Sequence, residues 1–347
     1  MNRKPPQSRT AVLRRSLLLL VVSTLALGGL VATSAPADAA TNQFRGMNWA
    51  VLGDNFSKGP LVISGLSQTD SNATVRAKAK AVYDDMAAIG VNTVRLPINT
   101  HTVGTTWWNN YRGAIDAATE RGFKVILAYW EDGAASGGKV TDYNAWNTMW
   151  SQVITTYGGN GNVYFEPMNE PHGYSSADWR NAAANWLSAH SSAARNRVLI
   201  GGTGFSQDLR DVCNDSRFSG TLFSFHYYTF FYGAMTYDAF RSHMQTRLGN
   251  CASRAVVTEY GAPMSNGLNY ANASSTDNYV RYLRAVTQVM RDNQMGGTYW
   301  PGIGGKRTDG GGFDWYSMFS QSGSGTTIDL AVRNASGRDR VRYGWGL

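Results

Sequence analysis

Glutamate is scarce in this chain: there are five, Glu120, Glu131, Glu166, Glu170 and Glu259. Two of them stand where a β-rich run gives out. Glu170 follows the stretch 162–168 in "NVYFEPMNEP", and Glu259 closes the run in "AVVTEYGAP". The ordinary place for a glutamate is an exposed helix face, so an acid at the end of a buried strand asks for a chemical reason. Two carboxyls facing each other can open an acetal: one gives a proton to the leaving oxygen while the other attacks the carbon. The first must keep its proton near neutral pH and the second must stay ionised. Arg95 in "RLP" would favour the ionised form of Glu259, whose negative charge would in turn hold the proton on Glu170.

Such chemistry needs residues far apart in sequence to converge. Eight strand-like runs alternate with helical patterns: 44–49, 91–98, 123–130, 162–168, 197–202, 221–228, 254–260 and 297–300. Between them Val75, Ala79, Val82, Tyr83 and Met86 share one helical face, as do Trp179, Ala183, Trp186 and His190, and then Tyr279, Leu283, Val286 and Met290. Ser176 and Ser275 stand where N-caps are expected. The pattern predicts an α/β fold, a single-domain (β/α)8 TIM barrel, in which side chains at the carboxyl ends of the strands meet at one mouth. The competing fold is an open doubly wound sheet, disfavoured because no G-x-G-x-x-G follows the first strand. The last repeat is the least regular: Gly302 to Gly312 reads as a loop, with a short helix near 337–343.

Five short motifs then line up in order. "RLP" at 95–97, "NEP" at 169–171, "HYY" at 226–228, "TEYG" at 258–261 and Trp300 in "GGTYWPG" resemble those of glycoside hydrolase family 5, the cellulase-type family. The resemblance spans nearly the whole chain after its leader. It implies Glu170 as acid/base and Glu259 as nucleophile, with Arg95 and Tyr228 touching the nucleophile, Asn169 on the sugar 2-hydroxyl, His226 lining the reacting subsite and Trp300 as its stacking floor. One departure stands out. Trp130, in "VILAYWED", occupies the third strand end where many members carry histidine, and either narrows the reacting subsite or adds a stacking surface. Glu131 and Asp132 beside it are sugar contacts or solvated loop acids.

The chain contains 11 Trp and 18 Tyr, more aromatic surface than a core of this size needs, and aromatic faces stack on the C–H faces of sugars. Trp49, Trp130 and Trp300 lie at strand ends, and Trp49 is read either as core or as subsite. Arg14-Arg15, an apolar run from Leu17 to about Val31 and Ala37-Asp38-Ala39 read as a secretion signal over residues 1–39, followed by one catalytic domain over 40–347. A membrane anchor is disfavoured because the run is short and broken by Gly28-Gly29. The leader holds five of the 32 basic and one of the 24 acidic residues, which leaves a net charge of +4. That mild charge, without a basic run interleaved with aromatics, argues against a nucleic-acid partner. Cys213 and Cys251 are the only cysteines, and an even count in an exported chain favours one disulfide over a metal site.

The sequence therefore predicts a secreted, retaining β-glycoside hydrolase for a β-glucan or β-mannan, monomeric, with no metal or organic cofactor. The competing functions are an exo-acting glycosidase or furanosidase on the same scaffold, and a carbohydrate-binding barrel without catalysis. No appended binding module is visible, which favours soluble or hemicellulosic glycans.

Overall fold

The computed structural model describes residues 41–131 and 137–347; the leader expected over residues 1–39 lies outside them. Eight parallel strands form one sheet: β1 Arg45–Leu52, β2 Thr93–Ile98, β3 Lys124–Tyr129, β4 Val163–Glu166, β5 Leu199–Gly201, β6 Leu222–His226, β7 Ala255–Glu259 and β8 Gly296–Gly305. Their order is β4-β3-β2-β1-β8-β7-β6-β5, and a parallel bridge from Phe165 to Val198 joins the two ends of the sheet. This is the (β/α)8 barrel, a single domain.

The helices are α1 Asn72–Ala88, α2 Thr106–Glu120, α3 Tyr143–Tyr157, α4 Ser176–Ala189, the short α5 Thr203–Ser206 and α6 Arg210–Cys213, α7 Tyr237–Leu248, α8 Asn278–Asp292 and α9 Ala335–Gly344. Apart from α5 and α6, the helices start on a capping side chain, but in α4 and α8 it is not the serine expected. Ser175, not Ser176, accepts from the Asp178 amide, and Asp277, two residues after Ser275, accepts from the Tyr279 and Val280 amides. In each case the side chain that caps is the one whose backbone is still extended before the first helical turn.

Strand alternation divides the barrel into an outside and an inside. Outward residues such as Val94, Leu96, Leu127, Phe165 and Val257 are fully buried against the helices. Inside, a small apolar plug of Phe44, Ile126, Tyr164, Leu199 and Val256 fills one level. The next inward residues toward the carboxyl ends are polar: Asn48, Arg95, Glu166, Ser224, Thr258 and Thr298, all at most 2 % exposed. Burying so many polar groups is tolerable only if they satisfy one another, and that network is the foundation of the site.

Cys213 and Cys251 are joined, with their Cα atoms 5.9 Å apart. The bond ties the end of α6 to the turn before β7, and closing a loop of this size contributes about 2–4 kcal/mol. One region departs from expectation. The segment after β8 holds an antiparallel hairpin, β9 Phe319–Ser324 and β10 Thr327–Val332, before α9. The hairpin docks on α1, where the Leu330 amide donates to Asp85 at 2.7 Å.

Candidate active site

Arg95, at the middle of β2, is 1 % exposed and reaches four acceptor groups. Its Nε and Nη2 donate to the two Glu166 oxygens at 2.7 and 2.9 Å; Nη2 also donates to Asn169 Oδ1 at 2.8 Å. Its Nη1 donates to Asn48 Oδ1 at 3.0 Å and to Glu259 Oε1 at 2.6 Å. Burial works against the Arg95 charge, but Glu166 and Glu259 overcome it and raise its pKa further above the ordinary arginine value. One guanidinium thus answers two buried carboxylates. Asn48 and Glu166 are members of the site that sequence reasoning passed over. Their signal was present, since both fall on the inward parity of strands whose outward residues are apolar.

Glu259 reaches the mouth because of a local irregularity. The register of β6 on β7 runs Phe225 to Val257 and then His226 to Glu259, so Thr258 is the extra residue of a bulge. A bulge re-aims the side chain that follows it, turning Glu259 to the interior, although simple alternation from Val257 would point it outward. Its Oε1 faces Arg95, and Tyr228 donates from its hydroxyl to Oε2 at 3.1 Å.

Glu170 lies four residues beyond the end of β4, not on it. The chain bends at Pro167 and Asn169, the Asn169 amide donates to Tyr129 O at 2.7 Å, and Glu170 adopts φ +45°. A non-glycine residue in this left-handed region costs energy that the surroundings must offset. The turn aims the carboxyl at Glu259: one oxygen of each carboxylate and His226 Nδ1 lie within 4.8 Å of one another. His226 Nδ1 is 2.9 Å from Glu170 Oε1 and 3.6 Å from Glu259 Oε2. Burial pushes the Glu170 pKa up to about 7, with Arg95 and His172 opposing and Asp54 and Glu166 adding to the rise. Burial, and not the neighbouring Glu259 charge expected from sequence, is the main cause. Burial also raises Glu259 above the ordinary carboxylate value, against the pull of His226 and Arg95. His226 is lowered to about 4, again by burial first, so its ring is neutral at neutral pH.

Two buried polar atoms of this site have no protein partner, Asn169 Nδ2 and His226 Nε2. A buried donor without a partner is costly, and one beside a cleft is a natural point for a ligand oxygen. Glu170, His226 and Glu259 are also the group that could converge on a small cation among the described residues. Arg95 already places a full positive charge on Glu259, which works against a second cation there.

Above these residues opens a cavity of about 580 Å³, lined by Glu170, Glu259, Tyr228, Trp130 and Trp300 among others. Trp300 is half-buried and stacks on Trp130, ring centroids 5.5 Å apart and planes 25° off parallel. Trp130 is 3 % exposed, meets Phe56 edge-on at 4.9 Å and lies 5.8 Å from the Arg95 guanidinium carbon. It backs Trp300 while still lining the cavity. Trp130→Ala is therefore expected to act twice: a stability loss of about 3–5 kcal/mol from the vacated core, and a further fall in kcat/KM per folded molecule as Trp300 loses its support. Urea titration together with kinetics normalised to folded protein separates the two, and unchanged kcat/KM would confine Trp130 to the core.

Trp49 does not belong to the site. It is fully buried outside the barrel, with its indole donating to Ser64 O at 2.9 Å and its ring edge-on to Tyr83 at 5.6 Å. The preceding Asn48 takes the inward parity, so Trp49 must face the helices. Glu131 lines the cavity and accepts from the Gly138 amide, whereas Asp132 lies outside the described residues. Three charged loop residues were missed. Asp54, Lys306 and Asp314 line the cavity; Lys306 Nζ is 3.8 Å from Asp54 Oδ2, and burial raises both aspartates. Asp54 follows the end of β1, the one clue to it in the sequence.

The family model described as cellulase (glycosyl hydrolase family 5) matches residues 54–302. Endoglucanase Z of Dickeya dadantii is 26 % identical over 195 residues, covering 54 % of this chain and 40 % of that protein. A manganese dependent endoglucanase, Eg5A, of Phanerodontia chrysosporium is 28 % identical over 141 residues, 36 % of each. The chain thus spans about two fifths of the length of these curated relatives. The catalytic domain of the major endoglucanase from Xanthomonas campestris pv. campestris superposes with a TM-score of 0.62 at 18 % identity, covering 88 % of this chain and 95 % of that one. An endocellulase from Pyrococcus horikoshii, solved with cellotetraose, superposes with a TM-score of 0.62 at 16 % identity, covering 87 % and 92 %.

Proposed function

The chain belongs to glycosyl hydrolase family 5, the cellulase family, and from that membership we propose that it is a secreted, endo-acting β-glucan hydrolase working with retention of configuration. The observation that carries the mechanism is the spacing of Glu170 and Glu259, whose nearest oxygens lie within 4.8 Å. Retaining enzymes hold their carboxyl groups about 5–5.5 Å apart, whereas inverting ones leave room for a water at roughly 6.5–9.5 Å.

In the first step Glu259, kept ionised by Arg95 and oriented by Tyr228, attacks the anomeric carbon. The C–O bond to the leaving group breaks, and its oxygen takes the proton from Glu170. In the second step Glu170 removes a proton from water, the water oxygen attacks the same carbon, and Glu259 leaves as carboxylate. Coupling between the two acids is mutual: the Glu170 charge raises Glu259. Once Glu259 is esterified its charge is gone, and Glu170 releases its proton more readily. Asn169 Nδ2 is free to donate to the sugar 2-hydroxyl, and Trp300 offers the stacking face.

The relatives named endoglucanase, and the neighbour solved with cellotetraose, favour a β-glucan over the mannan also expected from sequence. The leader expected over residues 1–39 and the disulfide favour export. Purified enzyme on carboxymethyl-cellulose, mixed-linkage β-glucan, xyloglucan and galactomannan, with product sizing, tests this. Internal cleavage of a β-glucan to short oligosaccharides is expected. Release of monosaccharide alone, turnover of mannan alone, or no turnover would overturn it.

The pH profile follows from the same pair. Activity requires Glu170 protonated, so kcat/KM is expected to fall as pH rises through about 7. It requires Glu259 ionised, so the acid limb lies above the ordinary carboxylate range. Glu170→Gln, assayed on a dinitrophenyl glycoside that needs no protonation, is expected to lose the alkaline limb; its persistence would assign that limb to another group.

A further inference from the structure

Among the described residues six large hydrophobic side chains are exposed, and three of them, Phe230 at 61 %, Phe231 at 37 % and Trp315 at 38 %, line the one cavity that holds Glu170 and Glu259. They are not scattered. His172, two residues after Glu170, stacks on Phe205 with centroids 4.1 Å apart and planes 12° off parallel. Phe205 meets Phe231 at 5.1 Å, Phe231 meets Phe230 at 4.5 Å, and Phe230 stacks on Tyr228 at 4.8 Å. An unbroken arc of five rings thus runs from beside the acid/base to the tyrosine on the nucleophile.

The two walls of the cavity differ in chemistry. Asp54, Lys306 and Asp314 line the cavity too and supply the donors and acceptors that a sugar ring needs at its hydroxyl edges. The arc presents three phenylalanines, which have neither, and one nitrogen of His172 and the Tyr228 hydroxyl are engaged. His172 Nδ1 lies 2.9 Å from Glu170 O, and the Tyr228 hydroxyl is bonded to Glu259. The polar wall suits the glycone. The His172 end of the arc lies against the backbone of the acid/base, whose proton goes to the leaving oxygen, so that end adjoins the leaving group. An apolar surface kept exposed next to a reacting centre is a binding surface, since folding alone would have covered it.

The geometry points to a further activity: the arc of Phe205, Phe231 and Phe230 seats an aliphatic aglycone, so that this enzyme releases long-chain alkyl alcohols from β-glycosides as well as cleaving between sugars. This rests on the assignment of Glu170 and Glu259 given above. The bond broken is again that between the anomeric carbon and the glycosidic oxygen; Glu170 protonates the alcohol, Glu259 holds the glycosyl group, and water completes the cycle.

The test is a chain-length series of methyl, butyl, hexyl and octyl β-cellobiosides, followed by alkanol release. From butyl to octyl the acidity of the alcohol barely changes, so differences report binding on the leaving-group side. A methylene moved from water onto an apolar surface is worth up to about fourfold. The wild type is expected to gain at least about tenfold in kcat/KM from butyl to octyl, and a Phe230→Ser, Phe231→Ser double variant of unchanged melting temperature is expected to lose that gain. A flat series in the wild type, or a gain that survives in the double variant, would overturn the proposal. Calorimetric binding of the same series to Glu259→Gln keeps the two assignments apart. Tighter binding of the octyl compound without wild-type turnover would fault the assigned chemistry and leave the apolar wall standing; turnover without chain-length dependence in either measurement would fault the wall alone.

Discussion

Glu259→Ala is expected to leave a folded protein with hydrolysis reduced by about four orders of magnitude or more, because the group that attacks the anomeric carbon is gone. The fold should survive, since Arg95 keeps its paired bonds to Glu166 and its bond to Asn169. The vacated space beside Arg95 then suits a small anion. Added azide is expected to restore turnover on a β-glycoside with a good leaving group and to give the α-glycosyl azide. The check is kinetics with and without azide, with the product identified by NMR. A variant that keeps wild-type activity would remove Glu259 from the chemistry, and rescue giving a β-azide would place the attack on the wrong face.

Arg95→Met should have the largest effect on stability, a loss of about 3–5 kcal/mol, since it strands two buried carboxylates. Glu166 is fully buried and would keep only the bond from Ser224 Oγ at 2.7 Å. In the variant both acids bind protons more tightly when folded than when unfolded, so that stability should recover as pH falls, fully below the unfolded carboxylate range. In the wild type Arg95 opposes the burial that raises Glu259, so the recovery should be smaller. Pairing Arg95→Met with Glu166→Gln should restore part of the stability and none of the activity. Urea titrations at several pH values decide it, and a small, pH-independent loss would contradict the network described here.

The convergence of Glu170 and Glu259 was legible because each is a rare residue type at the end of a strand-like run, and the barrel sends strand ends to one mouth. Arg95, Asn169, His226 and Tyr228 were legible through the short motifs that resemble the family's. Trp49 was misplaced because nearness to a strand end was weighed without parity: Asn48 takes the interior, so Trp49 cannot. Glu166 was passed over as part of a buried run, yet an acid on the inward side of a strand must have a buried partner. The bulge that turns Glu259 inward carries no sequence mark, being set by how β6 and β7 register. The hairpin at 319–332 did carry one. Ile328, Leu330 and Val332 alternate with more exposed residues, but no element was expected between the loop at 302–312 and the helix near 337–343. Asp54, Lys306, Asp314 and the phenylalanine arc lie on connections whose paths depend on tertiary packing, which local patterning does not encode.

The central claim is that Glu170 and Glu259 act by double displacement, and the anomeric form of the first product tests it most directly. Proton NMR of a wild-type digest of a soluble β-glucan oligosaccharide, followed from the first minutes before mutarotation, is expected to show the β-anomer of the new reducing end appearing first and the α-anomer growing only later. Initial appearance of the α-anomer would mean a single displacement by water, and would contradict the account even in a fully active enzyme.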